Sequence, residues 1–312
     1  MKMKTSRRTF LGSLAISSLA TTKLFAFADN TKAKNYPISC NTYNWSTFYA
    51  REGKEWGKDW EACIQEFAQT GIPAIEPSFP NVEEVGKLTP ILKKYNIQMP
   101  SVYVNSLLHK PEEAEKSIST VLAIADETKK HMDTKIFVTN PSPIRWGGKE
   151  AKSDAELLEQ SKNMEKLGAE LKKRDITLAY HTHDTEMLAG AREFHHILVN
   201  TSPDNVSFCF DLHWIYRGSQ NSQVAVFDVL KLYGKRIVEL HIRQSVNGIW
   251  TETFSPQGDI DYHRVVREME SMKIRPHIVI EQCLEEKTTV NLGAIEAHKK
   301  DLAVIKEVFK RG

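Results

Sequence analysis

The chain alternates short apolar runs with amphipathic stretches eight times, and no other feature restricts its fold as strongly. The runs lie near residues 36–41, 74–76, 98–104, 135–139, 176–181, 206–211, 237–241 and 278–281. Short, continuously apolar runs fit strands buried on both faces, as in a parallel sheet. Between them, apolar residues recur at helical spacing, as in Trp60, Cys63, Ile64 and Phe67 of a helix expected over 56–70. Asn81 is placed to cap the helix that runs to residue 95. Pro111 opens another in the favoured first turn, with Glu112 and Glu113 at its positive end. Ser153 starts a long helix to 173, with imperfect capping-box spacing. Further helices are expected over 188–200, 224–233, 261–272 and 294–309. Alternating strands and helices predict a parallel sheet. Eight such units match a closed α/β architecture, the (β/α)8 TIM barrel, which typically takes ~250 residues. An open doubly wound sheet is the alternative, but no G-x-G-x-x-G turn or Walker A motif is present.

The last four runs share a second regularity. Ile176-Thr-Leu-Ala-Tyr-His181, Val206-Ser-Phe-Cys-Phe-Asp211, Ile237-Val-Glu-Leu-His241 and Ile278-Val-Ile-Glu281 each close on a nitrogen or oxygen donor, at spacings of 30, 30 and 40 residues. In a barrel these strand ends form the active face. His181, Asp211, His241 and Glu281 would then converge on one divalent metal ion. Two imidazoles and two carboxylates suit Mn2+, Zn2+, Co2+ or Fe2+ better than Mg2+, which prefers more oxygen. Such an ion would polarise a carbonyl and acidify the adjacent C–H bond. Residues two apart on a strand face the same way, so His183, His213 and Arg243 are expected beside their ligands. Arg243 either pairs with Glu239 or Glu281, or holds a substrate oxygen. Glu186 is either a solvated charge or a group reaching the substrate.

Aromatic residues follow the same strand ends: Tyr43, Trp45, Phe79, Trp146, Trp214, Tyr216 and Trp250. Flat apolar rings suit the C–H faces of sugars, although ordinary packing accounts for some of them. Phosphate sites in such barrels usually follow strands seven and eight. Here the 18-residue loop 243–260 has no Lys or Arg after Arg243, and the last loop reads Gln282-Cys-Leu-Glu285-Glu286. A non-phosphorylated substrate is expected.

The N-terminus reads as an export signal. Ser6-Arg7-Arg8-Thr9-Phe10-Leu11 is a twin-arginine pattern, followed by an apolar stretch over 11–20 and a small-x-small site at Ala26-Phe27-Ala28. Residues 1–28 are thus expected to engage the twin-arginine export machinery, and 29–312 to form one barrel domain in the periplasm. An uncleaved anchor is the alternative, but the stretch is short and rich in Ser, Thr and Gly. With 42 basic and 40 acidic residues, nucleic acid and lipid headgroups are not expected partners. Cys40, Cys63, Cys209 and Cys283 have no close spacing and are expected as free, buried thiols. A homo-oligomer is left open by the sequence.

Five segments carry a family resemblance: Leu178-Ala-Tyr-His-Thr-His-Asp-Thr-Glu186, Phe210-Asp-Leu-His-Trp214, Glu239-Leu-His-Ile-Arg243, Gly258-Asp-Ile-Asp261 and Ile278-Val-Ile-Glu281. From about Ile38 onwards the chain resembles the xylose isomerase-like barrel family of sugar isomerases and epimerases. The resemblance implies one divalent metal, held from strands five to eight commonly by Glu, Asp, His and Glu. Asp211, His241 and Glu281 match the last three, whereas His181 stands where a glutamate is common. Glu186 falls where some epimerases place a substrate-binding glutamate, and Arg243 near their substrate arginine. Members often move a proton between two metal-linked glutamates, of which only Glu281 is present. Glu281 is therefore the first candidate base and His181 the second, unless His181 is a ligand only. His183, His213, Arg243 and Trp214 would contact the substrate. The resemblance implies a metal-dependent isomerase or epimerase acting on a small carbohydrate, a neutral sugar or keto-sugar. The alternative is a keto-glycoside lyase or dehydratase working by β-elimination, and a third reading is a non-catalytic periplasmic sugar-binding protein. A DNA-repair endonuclease of the same superfamily would need more metal ligands and a basic surface.

Overall fold

A computed structural model describes residues 35–310. The expected export signal and cleavage site lie outside the described residues. In chain order the elements are β1 (Ile38–Asn41), α1 (Thr42–Arg51), α2 (Trp60–Ala68), β2 (Ile75–Glu76), α3 (Val82–Lys94), β3 (Ser101–Ser106), α4 (Pro111–His131), β4 (Ile136–Pro141), α5 (Asp154–Lys172), β5 (Thr177–Tyr180), α6 (Leu188–Asn200), β6 (Val206–Asp211), α7 (Leu212–Gly218), α8 (Gln223–Tyr233), β7 (Ile237–Ile242), a hairpin of β8 (Ser245–Val246) and β9 (Ile249–Trp250), α9 (Tyr262–Met272), β10 (His277–Ile280) and α10 (Ala294–Val308). The eight long-range strands are all parallel, in the order β3-β4-β5-β6-β7-β10-β1-β2. Parallel bridges Ala74–Gln98 and Ser78–Tyr103 join β2 to β3, so the sheet rolls into a nearly closed (β/α)8 barrel with helices outside.

Local chemistry accounts for most element boundaries. Asn41, Asn81 and Asp211 accept backbone N–H groups at the starts of α1, α3 and α7. Pro111 occupies the first turn of α4. Ser153 and Glu156 form a complete reciprocal capping box, so the expectation of imperfect spacing was wrong. The helix expected over 56–70 is confined to α2, and α1 was not anticipated. Helix α1 mixes polar and aromatic residues, burying Thr42, Asn44, Trp45, Phe48 and Tyr49, and so shows no clean apolar stripe. The loop expected over 243–260 contains the β8–β9 hairpin.

Strand alternation sorts the core into two parts. Leu178, Tyr180, Phe208, Phe210, Leu240, Ile242, Ile278 and Ile280 point outward into the main helix–sheet core. Each such burial stabilises by roughly 1.5–3 kcal/mol. The intervening residues face the barrel axis. Ile136, Val138, Ala179 and Cys209 form a small separate apolar cluster there, with Tyr103 packed against it. The opposite half of the interior is polar, lined by Glu76, Ser101, Glu239 and His277. All four cysteines are free and buried, as expected.

Candidate active site

The strand ends bring His181, Asp211, His241 and Glu281 together. Asp211 sits directly opposite His241 in the β6–β7 register. His181 and Glu281 lie one residue beyond their strands, yet the ladder still holds them: His181 N–H donates to Thr139 O (2.9 Å), and Glu281 N–H to Ile242 O (3.0 Å). One donor atom from each of the four side chains lies within 4.8 Å of the others. All four residues are buried, Glu281 being the most accessible at 7 %.

Two features show that this cluster fits a metal ion. Neither ring nitrogen of buried His181 has a hydrogen-bond partner among the described residues, Nε2 standing 3.5 Å from Asp211 Oδ2, an arrangement that is costly unless a ligand satisfies one of them. His241 has the support that ligating histidines usually have. Its Nε2 faces Glu76 (3.2 Å) and Glu239 (3.3 Å), which leaves Nδ1 towards Glu281 at 3.2 Å. Cys209 and Glu239 also lie beside His241, on the interior side.

Arg243 supplies a fixed cation. Its Nη2 donates to Asp211 Oδ2 (2.9 Å) and to Glu281 Oε2, while Nε and Nη1 have no protein partner. The guanidinium lies in the corner made by Trp214 and Trp250, 5.1 and 4.7 Å from their ring centroids, the two rings standing edge to face 5.8 Å apart. Burial would raise the Glu281 pKa, but Arg243 and His241 outweigh it and hold the carboxyl below its usual range. Asp211 is held down in the same way, chiefly by Arg243 against the effect of burial.

The other expected site residues divide. His183 is at the cluster, its ring 4.9 Å from that of His181, and burial pulls its pKa well down. Trp214 forms a wall, 5.2 Å from His183. Glu186 is fully buried, which excludes the solvated reading. It accepts from Asn140 Nδ2 (2.8 Å) and from His183 N–H (2.6 Å). Burial, with Glu193 nearby, lifts its pKa to about 7.

His213 does not stand beside Asp211. Strand alternation ends at Asp211 because that residue caps α7, and His213 lies on the helix. Its Nδ1 accepts from Trp250 Nε1 (3.3 Å), and its Nε2 meets Ser245 Oγ (2.8 Å), which donates to Asp259 (2.6 Å). With both nitrogens engaged, His213 braces the β8–β9 hairpin and has none left for a substrate oxygen.

Sequence reasoning missed Glu76, Glu239 and Tyr103. Glu76 closes β2 just as the four ligands close their strands, but a two-residue strand gives a weak signal. Glu239 precedes His241 by two and therefore faces the axis. Burial and the Glu76 charge push Glu239 up to about 8, so Glu239 keeps its proton while Glu76 is ionised. Tyr103 stands edge-on to His181, with centroids 5.5 Å apart.

This geometry sits on a fold with known relatives. A family profile described as xylose isomerase-like TIM barrel matches residues 64–308. The chain belongs to this family. An inosose dehydratase of Clostridium perfringens is 22% identical over 263 residues, covering 73% of this chain and 83% of that protein. The crystal structure of a sugar phosphate isomerase/epimerase from Parabacteroides distasonis superposes with a TM-score of 0.66 at 15% identity, covering 88% of this chain and 96% of that one. A 3-keto-D-glucoside 4-epimerase from E. coli superposes with a TM-score of 0.63 at 11% identity, covering 87% and 99%. Likeness at these identities establishes the shared barrel.

Proposed function

We propose that the protein is a metal-dependent sugar isomerase or epimerase acting on a non-phosphorylated sugar or keto-sugar. The convergence of the four buried donors His181, Asp211, His241 and Glu281 within 4.8 Å of one another carries this reading. The names of the related proteins support a carbohydrate substrate: a sugar phosphate isomerase/epimerase, a 3-keto-D-glucoside 4-epimerase and an inosose dehydratase. His181, Asp211, His241 and Glu281 would hold the ion. When bound, a divalent ion supplies Lewis acidity that polarises a carbonyl and acidifies the C–H bond beside it.

The residues of the chain do the rest. Glu281, kept ionised by Arg243 and His241, takes the α proton. The unpartnered Nε and Nη1 of Arg243 point to a role in holding a substrate oxygen. Arg217 and Arg145, on α7 and in the loop after β4, are paired with Glu285 and Glu150, which argues against a phosphate subsite.

One observation favours a second reaction. By the family resemblance, His181 stands where the glutamate that returns the proton from the opposite face is common, which leaves Glu281 as the one member of that carboxylate pair. Abstraction of the α proton by Glu281, loss of a β-substituent with formation of the C=C bond, and return of that proton from Glu281 to the leaving oxygen, as in a keto-glycoside lyase or dehydratase, needs only that one carboxylate. Proton NMR in deuterated buffer separates the two. Solvent exchange at the carbon next to the carbonyl without a leaving group marks the isomerase, whereas release of water or an alcohol marks the lyase. Absence of both across aldoses, ketoses and keto-glycosides would overturn the enzymatic reading. The same reading puts the mature enzyme in the periplasm, on the strength of the twin-arginine pattern.

A further inference from the structure

A ladder of rings climbs from the floor of the site to its rim. His241 lies 4.8 Å from His181, His181 lies 4.9 Å from His183, and His183 meets the edge of Trp146 at 5.3 Å. Burial falls along the same path: His181 is buried, His183 half-buried, and Trp146 56% exposed. Of the six tryptophans, all among the described residues, Trp146 alone is exposed.

Leaving an indole in water forfeits on the order of 2 kcal/mol of burial. The loop after β4 does not need the indole for its own order. It is held by the Gly148 N–H to Arg145 O turn (3.0 Å) and the Arg145–Glu150 ion pair (2.7 Å). Trp146 therefore presents a free aromatic face one ring-step above the half-buried His183.

We propose that Trp146 forms a subsite for a second ring, and that the substrate is a glycoside. The reacting sugar sits against His181 and Glu281, and its aglycone or second sugar stacks on the indole. This rests on the sugar-enzyme reading above. A lone monosaccharide at the floor would leave the rim bare. The rim is not a continuous apolar face, because Arg145, Lys149 and Glu150 of the same loop are exposed beside Trp146. That pattern suits a stacked ring better than a second copy of the chain.

The test is calorimetric titration of the manganese-loaded protein with methyl and phenyl D-glucosides, both anomers, and their 3-keto forms. Wild type should bind at least one phenyl glycoside about tenfold more tightly than its methyl partner, the gain expected of one aromatic stacking contact. Trp146→Ala should abolish that preference while leaving methyl-glycoside affinity and melting temperature unchanged, and Trp146→Phe should keep most of it. Equal affinity for methyl and phenyl forms, or a preference that survives Trp146→Ala, overturns the subsite and leaves the sugar-enzyme reading standing. Failure of every glycoside to bind overturns both. Sedimentation showing a dimer that Trp146→Ala dissociates would assign the rim to a second copy and also overturn the proposal.

Discussion

Replacing Arg243 with methionine should make the metal-free protein less stable and the metal site tighter. The guanidinium neutralises two buried carboxylates, Asp211 at 2.9 Å and Glu281 in direct contact, and these are also two of the four candidate ligands. Methionine keeps an apolar side chain of similar length beside Trp214 and Trp250 while removing the charge. Without a metal, the two carboxylates lose their cation, and breaking a buried pair costs about 3–5 kcal/mol. At about 2–4 °C per kcal/mol for a domain of this size, the melting temperature in chelator should fall by roughly 10 °C. With metal the sign reverses. A unit charge ~5 Å from a dication at an effective dielectric of ~20 is repelled by about 7 kcal/mol before relaxation. If relaxation leaves a third of that, removing Arg243 tightens metal binding by about fiftyfold. Thermal melts in chelator and in graded Mn2+ or Zn2+ read both effects without any substrate. An unchanged melting temperature in chelator, or weaker metal binding by the variant, would refute the idea that Arg243 and the metal share these carboxylates.

Three further outcomes follow from the same structure. Burial lifts the Asp301 pKa to about 8, and the nearby Glu252 charge adds to this, so its stabilising neutral form is present at low pH and lost as pH rises through that value. Melting curves should therefore show the wild type losing stability relative to Asp301→Asn between about pH 4 and about pH 8, and parallel curves would contradict the assignment. His213→Ala should cost about 1–3 kcal/mol and expose loop 245–259 to proteolysis, because Trp250 Nε1 and Ser245 Oγ lose their shared partner. Its metal affinity should stay at the wild-type value, and a large loss would restore His213 to the site. Ala189 holds a left-handed backbone (φ 52°) on an exposed turn, so Ala189→Gly should stabilise by about 0.5–1 kcal/mol in denaturant melts. A loss of stability would show that the turn is set by contacts of the alanine.

The barrel was legible because a strand buried on both faces must be apolar until it reaches the open end, where a polar residue can follow. His181, Asp211, His241 and Glu281 each mark that point, and the register carried them to one place. Where the strand pattern stops, prediction by alternation stops too. His213 turned away because Asp211 spends one carboxylate oxygen capping α7. Glu76 escaped notice because β2 is only two residues long. Helix α1 was hidden for a related reason: Asn41 ends a strand and caps a helix at once, so no loop separates the two. The contact of Arg243 with Trp214 and Trp250 brings together α7, the end of β7 and the β8–β9 hairpin, a tertiary relation that no local pattern encodes.

The account stands on a single ion bound by side chains from four strands. Anomalous diffraction from crystals grown with Mn2+ tests this directly. It should show one strong peak within bonding distance of His181, Asp211, His241 and Glu281, with the Arg243 guanidinium beside it. No peak there, or a peak held by Cys209, Glu239 and His241 instead, would contradict the account.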